Sequence, residues 1–348
     1  MIDEIVHIVE SFDFDKVEDQ SNVISDKLYE DYLNKLQEDN PYVWDKLMGI
    51  AERISAVCAF FPKYKDFLKV FVDKTVEEKH TYKVQNKDEL ISIMMTILSR
   101  DPNANLNFLD VSNVDDMSEL FSDNPATHHE YLSQCNPDIS EWNVSNVTNM
   151  ANMFYKSKFT GDISKWNVSN CKNMYGMFAW SEFNGDISKW DVGNCNVLST
   201  MFSHSKFNGD LSKWNLQYCE QTDRMFEYCN FNGDISKWDM TCVNTMHKMF
   251  SNNKAFNGDI SKWNVRNCLN FNYMFSSSVF NQDISTWNVS RCRKFKGMFA
   301  GAKFNHDISE WDIDPRSNCD AMFAASEIKQ EYKPKAYLAY FKDIDQKC

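Results

Sequence analysis

The sequence predicts an α/β repeat solenoid: about nine coils of roughly 24 residues, stacked with a parallel strand ladder, behind an α-helical N-terminal domain. Three observations predict it. Tryptophans stand at 142, 166, 190, 214, 238, 263, 287 and 311, and every interval is 24 except one of 25. Twelve residues after each comes a Met-Phe pair, ending in Phe154, Phe178, Phe202, Phe226, Phe250, Phe275, Phe299 and Phe323. Seven residues before each Trp from Trp166 on stands a second phenylalanine, from Phe159 to Phe304.

Within one repeat, Trp166 and Val168 are two apart, the spacing at which a strand points both side chains inward. Cys171, Met174 and Met177 are three apart, which suits a helical or 3₁₀ turn. One strand and one helical turn per repeat cannot bury their own apolar face, so coils must stack. The tryptophans Trp142, Trp166, Trp190, Trp214, Trp238, Trp263, Trp287 and Trp311 would then form an internal column. No proline occurs from 138 to 314, as a ladder that uses every backbone donor requires. A degenerate copy, Leu109-Asp-Val-Ser-Asn-Val114 followed by Leu120-Phe121, supplies the first coil.

Ile163-Ser-Lys-Trp166-Asn-Val168-Ser-Asn-Cys171-Lys-Asn-Met174 resembles the leucine-rich repeat, with Trp in the second leucine slot. The fuller unit, from Phe-Asn-Gly-Asp-Ile-Ser-Lys-Trp to Met-Phe, closely resembles the BspA-like repeat family over about residues 86–323. That resemblance implies the fold and little about biochemical role. Its members occur in bacterial surface proteins and lipoproteins and in giant DNA viruses. No export signal precedes this chain's repeats, so the expected context is intracellular: cytoplasmic, or host cytoplasm or virion if viral.

The expected domains are a helical domain over 1–85, a helical cap over 86–105, nine coils over 106–323 and a C-terminal cap over 324–348. Val23, Ile24, Leu28, Tyr32, Leu33 and Leu36 recur at helical spacing in the first. Asn86 followed by Glu89 reads as a capped helix start, with the helix running through about Ser99. Phe121 to Trp142 spans 21 residues where later coils need 12, which predicts a surface loop over 122–137 containing His128, His129 and Cys135.

A net charge of -13 argues against nucleic acid or an anionic membrane as partner. No stretch approaches the ~20 apolar residues of a membrane span. Eleven cysteines without an export signal read as free thiols, and the row Cys171, Cys195, Cys219, Cys268 and Cys292 reads as packing rather than metal ligation, since no close pair exists. The row Asp138, Asp162, Asp186, Asp210, Asp234, Asp259, Asp283 and Asp307 reads as turn residues, with calcium the weaker alternative. No nucleophile motif, phosphate loop or dinucleotide fingerprint is present, so neither catalysis nor a cofactor is expected.

The expected partner-binding face is the outward side of the strands. Lys165, Lys189, Lys213, Lys237 and Lys262 would make a basic stripe beside Asn167, Asp191, Asn215, Asp239 and Asn264, suited to an acidic segment of a protein partner. The function this predicts is a non-catalytic protein-interaction scaffold that binds through this concave face, the 122–137 loop, or both. The alternatives are a ubiquitin-ligase-type adaptor, with 1–85 docking the machinery, and a structural component of a giant-virus particle or factory.

Overall fold

The computed structural model describes residues 82–127 and 129–339. The chain divides into two units, Met1–Tyr82 and Lys83–Cys348. The helical domain expected over 1–85 falls, except for its last four residues, outside the described residues.

The described residues begin with β1 (Tyr82–Lys83), which pairs with β2 (Leu109–Asp110). Between them runs α1 (Lys87–Leu98). Asn86 caps it by accepting the Glu89 N–H at 3.0 Å, and the Glu89 carboxylate reaches back to the Gln85 N–H. Its buried residues Leu90, Met94 and Leu98 recur every four, so one side of the helix faces the core.

From here to residue 323 the repeats lie on one another in register. Nine parallel bridges join equivalent residues of successive repeats, including Asn149 with Asn173, Asn173 with Val197 and Val197 with Gln221. The core between them is aromatic. Phe154, Phe178 and Phe202 stack at ring-centroid distances of 5.5 and 5.8 Å, and the second phenylalanine of each repeat packs within 4.1–4.5 Å of the first. The eight tryptophans are 2–4% exposed. Each indole N–H donates to a carbonyl of the preceding repeat at 2.9–3.2 Å, as Trp190 does to Ile163, so the ring fills the core without an orphaned donor.

The backbone departs from the expected strand-and-helix coil. Trp166-Asn-Val168 forms no strand, because the polar residues around it bend the chain instead. Asp162 and Asn167 each accept the N–H two residues on, from Ser164 at 2.8 Å and Ser169 at 3.2 Å. The pairing falls at the Asn173 slot, and the segment after that slot is a run of turns rather than a helix. Met177 N–H bonds Met174 C=O and Ala179 N–H bonds Gly176 C=O, while Gly176 and Trp180 have φ near +60°. A left-handed residue at every fourth position stops the turns from propagating as a helix. The three-residue spacing of Cys171, Met174 and Met177 arises from these successive turns.

This run carries most of the backbone hydrogen bonding between repeats. In each of four columns, eight backbone N–H groups donate to the next repeat at 2.7–3.2 Å. One column runs Phe121 to Met153, Phe154 to Met177 and Phe178 to Met201, and so on to Phe299 with Met322. All four point the same way, with N–H toward the C-terminal end and C=O toward the N-terminal end. Two further columns run the opposite way and are incomplete.

At the far end the Tyr337 ring meets Phe323 edge-on at 4.8 Å, and Tyr332 C=O accepts the Ile308 N–H. The rest of the expected cap, including Tyr340 and Phe341, lies outside the described residues.

Candidate partner-binding surface

Each repeat shows solvent two sides of different chemistry. On the tryptophan side stand the rows expected to bind. Asn167, Asp191, Asn215, Asp239 and Asn264 are exposed, but each commits one side-chain oxygen to the N–H two residues on, at 3.0–3.4 Å. They are turn formers first. Lys165, Lys189, Lys213, Lys237 and Lys262 are exposed, each three residues after a carboxylate. The carboxyls of Asp162, Asp186, Asp210, Asp234 and Asp259 lie below the ordinary range, chiefly through the serine two residues on and then through these lysines. The five lysines therefore do not form a net basic stripe: an aspartate row of equal density stands beside them.

The other side is the run of turns. Here the left-handed residue two after each Met-Phe pair projects outward and differs from repeat to repeat: Lys156, Trp180, His204, Tyr228, Asn252, Ser277, Gly301 and Ala325. Trp180 and Tyr228 are 52% and 54% exposed, and Tyr175 beside them 44%. His204 stacks between Trp180 at 3.9 Å and Tyr228 at 4.5 Å. Its Nδ1 meets the Ser203 hydroxyl at 2.9 Å, but Ser203 is 2% exposed, so this pair orients the ring and presents no nucleophile. Behind the stack the buried Glu227 carboxylate pairs with Arg224 at 3.2 Å and Lys248 at 3.5 Å.

The expected 122–137 loop is only partly a loop. Phe121 to Phe154 is 33 residues against the usual 24, so nine are extra, and the chain is back in register at Ser133. Ser133 C=O accepts the Lys158 N–H, Cys135 fills the Phe159 slot fully buried, and Asn136 accepts the Thr160 N–H. The protruding part holds two 3₁₀ turns, Pro125–Thr127 and Glu130–Gln134. Tyr131 anchors the second to Leu98 C=O, and the His129 ring nitrogens face the carbonyls of Thr127 and Glu119 at 2.9 and 3.1 Å. His129 is thus occupied by backbone, and His128 lies outside the described residues.

Where the insertion meets the turn side there is a cleft of about 350 Å³. Its lining includes Glu119, Ser122, Asp123, Tyr155, Lys156 and Tyr175. The surroundings are acidic: residues 101–155 hold nine Asp and Glu and no Lys or Arg, whereas 156–348 hold 24 basic and 21 acidic residues. That asymmetry is legible in the sequence by counting along the chain instead of over it. The exposed aromatics give no such signal, because nothing in Trp180 or Tyr228 announces a left-handed backbone.

The cysteine row is buried, and burial pushes the thiols up, Cys171 and Cys292 to about 11 and Cys219 to about 12. Cys242 is the exposed one among the described cysteines. No group of three His, Cys, Asp or Glu able to hold a metal occurs among the described residues, and no helix of theirs is long and apolar enough to cross a membrane.

Fold and surface define a protein of in-register repeats of about 24 residues. Residues 65–180, 126–232 and 220–335 match the family described as "Mycoplasma protein of unknown function, DUF285". These overlapping matches span most of the chain, which belongs to that family. No curated protein and no solved structure matches it.

Proposed function

We propose that the chain is a non-catalytic protein-binding scaffold, built as a leucine-rich-repeat-like solenoid of the BspA kind, whose contact surface is the turn side together with the insertion. The observation that carries this reading is the outward row of the turn side. Its backbone is the same in every repeat, yet it displays a different side chain each time, and three large aromatics of this side are more than 40% exposed within residues 175–228. Exposed aromatic anchors on a rigid backbone are what protein interfaces concentrate their binding energy on. On the tryptophan side the rows of Asp162 and Asn167 and their equivalents recur nearly unchanged, and these side chains serve turns.

The test is affinity capture with the full chain, wild type against Trp180→Ala/Tyr228→Ala and against charge reversal of Lys165, Lys189, Lys213, Lys237 and Lys262. The expected result is a partner retained by the lysine variant and lost by the aromatic one. Loss with the lysine variant alone would return the surface to the tryptophan side.

A further inference from the structure

The four columns of aligned amides end at the first repeat. Among the described residues no N–H donates to the carbonyls of Asp116, Ser118, Leu120 or Ser122, the equivalents of those that accept in every later repeat. Aligned peptides add their dipoles, about 3.5 D each, so this end of the stack is its negative pole. The nine acidic residues of 101–155, with no Lys or Arg among them, lie on the same repeats. Side-chain charge and backbone dipole therefore reinforce each other at the cleft, whose lining joins Glu119 and Asp123 with Tyr155, Lys156 and Tyr175.

Two details say what fits there. Ser122 lines the cleft, is fully buried, and has a hydroxyl oxygen with no hydrogen-bond partner. Lys156 rests its ammonium 5.3 Å from the centroid of the Tyr155 ring, so the chain already seats one cation on this aromatic wall. A bare metal ion is a poor match, because no cluster of three ligating side chains exists among the described residues. A cation that stacks on rings and donates to carboxylates is a guanidinium or ammonium.

Resting on the scaffold reading, we propose that this cleft seats an arginine or lysine side chain from a basic segment of the protein partner, with Glu119 and Asp123 as its counter-charges and Tyr155 and Tyr175 as its walls.

The probe is the blocked pentapeptide acetyl-Gly-Gly-Arg-Gly-Gly-amide, titrated into the full chain by saturation-transfer NMR. The controls are the same peptide with citrulline, which keeps the shape and loses the charge, and calcium chloride by calorimetry. The expected result is saturable binding of the arginine peptide that weakens as salt rises, with citrulline at least about tenfold weaker, the loss of roughly one charge-assisted contact. Glu119→Gln/Asp123→Asn abolishes it, while Asp234→Asn, far along the stack, leaves it intact. Equal binding of citrulline, binding unaltered by the double variant, or no binding at all overturns the proposal. Calcium heat that the double variant removes overturns it in favour of a metal site. These outcomes are separate from the scaffold test: capture lost with Trp180→Ala/Tyr228→Ala while the peptide fails to bind leaves the scaffold standing and removes only the cation seat.

Discussion

The tryptophan side and the turn side of each repeat are built from the same 24 residues and obey opposite rules. On the tryptophan side, Asp162, Asn167 and their equivalents spend their side chains on the backbone, and the pattern recurs almost unchanged. On the turn side four columns of amides carry the bonding between repeats, aided by Asn173 and its equivalents, and the outward left-handed residues from Lys156 to Ser277 are released from that duty. Freedom has a cost there. Fourteen of the described residues other than glycine take positive φ, among them the β-branched Thr200 at 65°. Where a repeat protein tolerates strain and varies its side chains, it has room for recognition; where side chains hold the turns, variation breaks the coil.

The largest effect concerns what both sides share. Trp214→Ala removes a buried indole and its bond to Ile187 C=O at 3.1 Å. It should cost about 3–5 kcal/mol in urea denaturation of the full chain, the range for large-to-small aromatic changes in a packed core. A loss of only a few tenths would mean that the column is not the core of the stack.

Next comes Glu227→Ala on the turn side. It leaves Arg224 and Lys248 facing each other without the carboxylate that holds both. The partners are part-exposed, so water recovers some of the loss and the expected cost is about 1–3 kcal/mol, with Glu227→Gln cheaper. Equal costs for both variants would assign the effect to packing instead of charge.

Thr200→Gly goes the other way. Relief of left-handed strain at a non-glycine residue is worth about 1–2 kcal/mol, and the extra freedom of glycine in the unfolded chain takes back about 0.5–1. The net expectation is a gain of about 0.5–1 kcal/mol in thermal or urea unfolding. The reverse change, Gly297→Ala, should destabilise, since its Cβ would lie 2.5 Å from the Tyr273 ring. A stabilising Gly297→Ala would show that the turn run is softer than its uniform φ values indicate.

The sequence displayed the period, the in-register stacking and the inward tryptophans, because aromatic spacing encodes them directly. It misplaced the regular structure inside each repeat. Two apolar residues two apart suggested a strand at Trp166 and Val168, but Asp162, Asn167 and Asn173 stand five and six apart, and each bends the chain. The Lys165 row looked basic because it was read without the Asp162 row three residues earlier. Left-handed positions such as Trp180, His204 and Tyr228 carried no local signal at all, since the conformation is imposed by bonds to the neighbouring repeats. The surface with the best claim to recognition was therefore the one least visible in the sequence.

The smallest effect at neutral pH falls on the aspartate row, where acid separates the two sides. The carboxyls from Asp162 to Asp307, at seven of the row's eight slots, all lie below the ordinary value of 3.8, held down mainly by the serine two residues on. A depressed folded value means that the folded chain binds fewer protons, so the stabilisation is complete above about pH 4 and drains away as pH falls through the folded values. Asparagine keeps the side-chain oxygen that accepts the N–H and has no proton to gain. Asp186→Asn/Asp210→Asn/Asp234→Asn should thus lower stability at pH 7 by a few tenths of a kcal/mol, the usual scale for exposed substitutions, and flatten the fall of stability with acid, the variant and wild type converging below the folded values. A triple variant whose stability falls with acid as steeply as that of wild type would place the acid-sensitive groups outside this row.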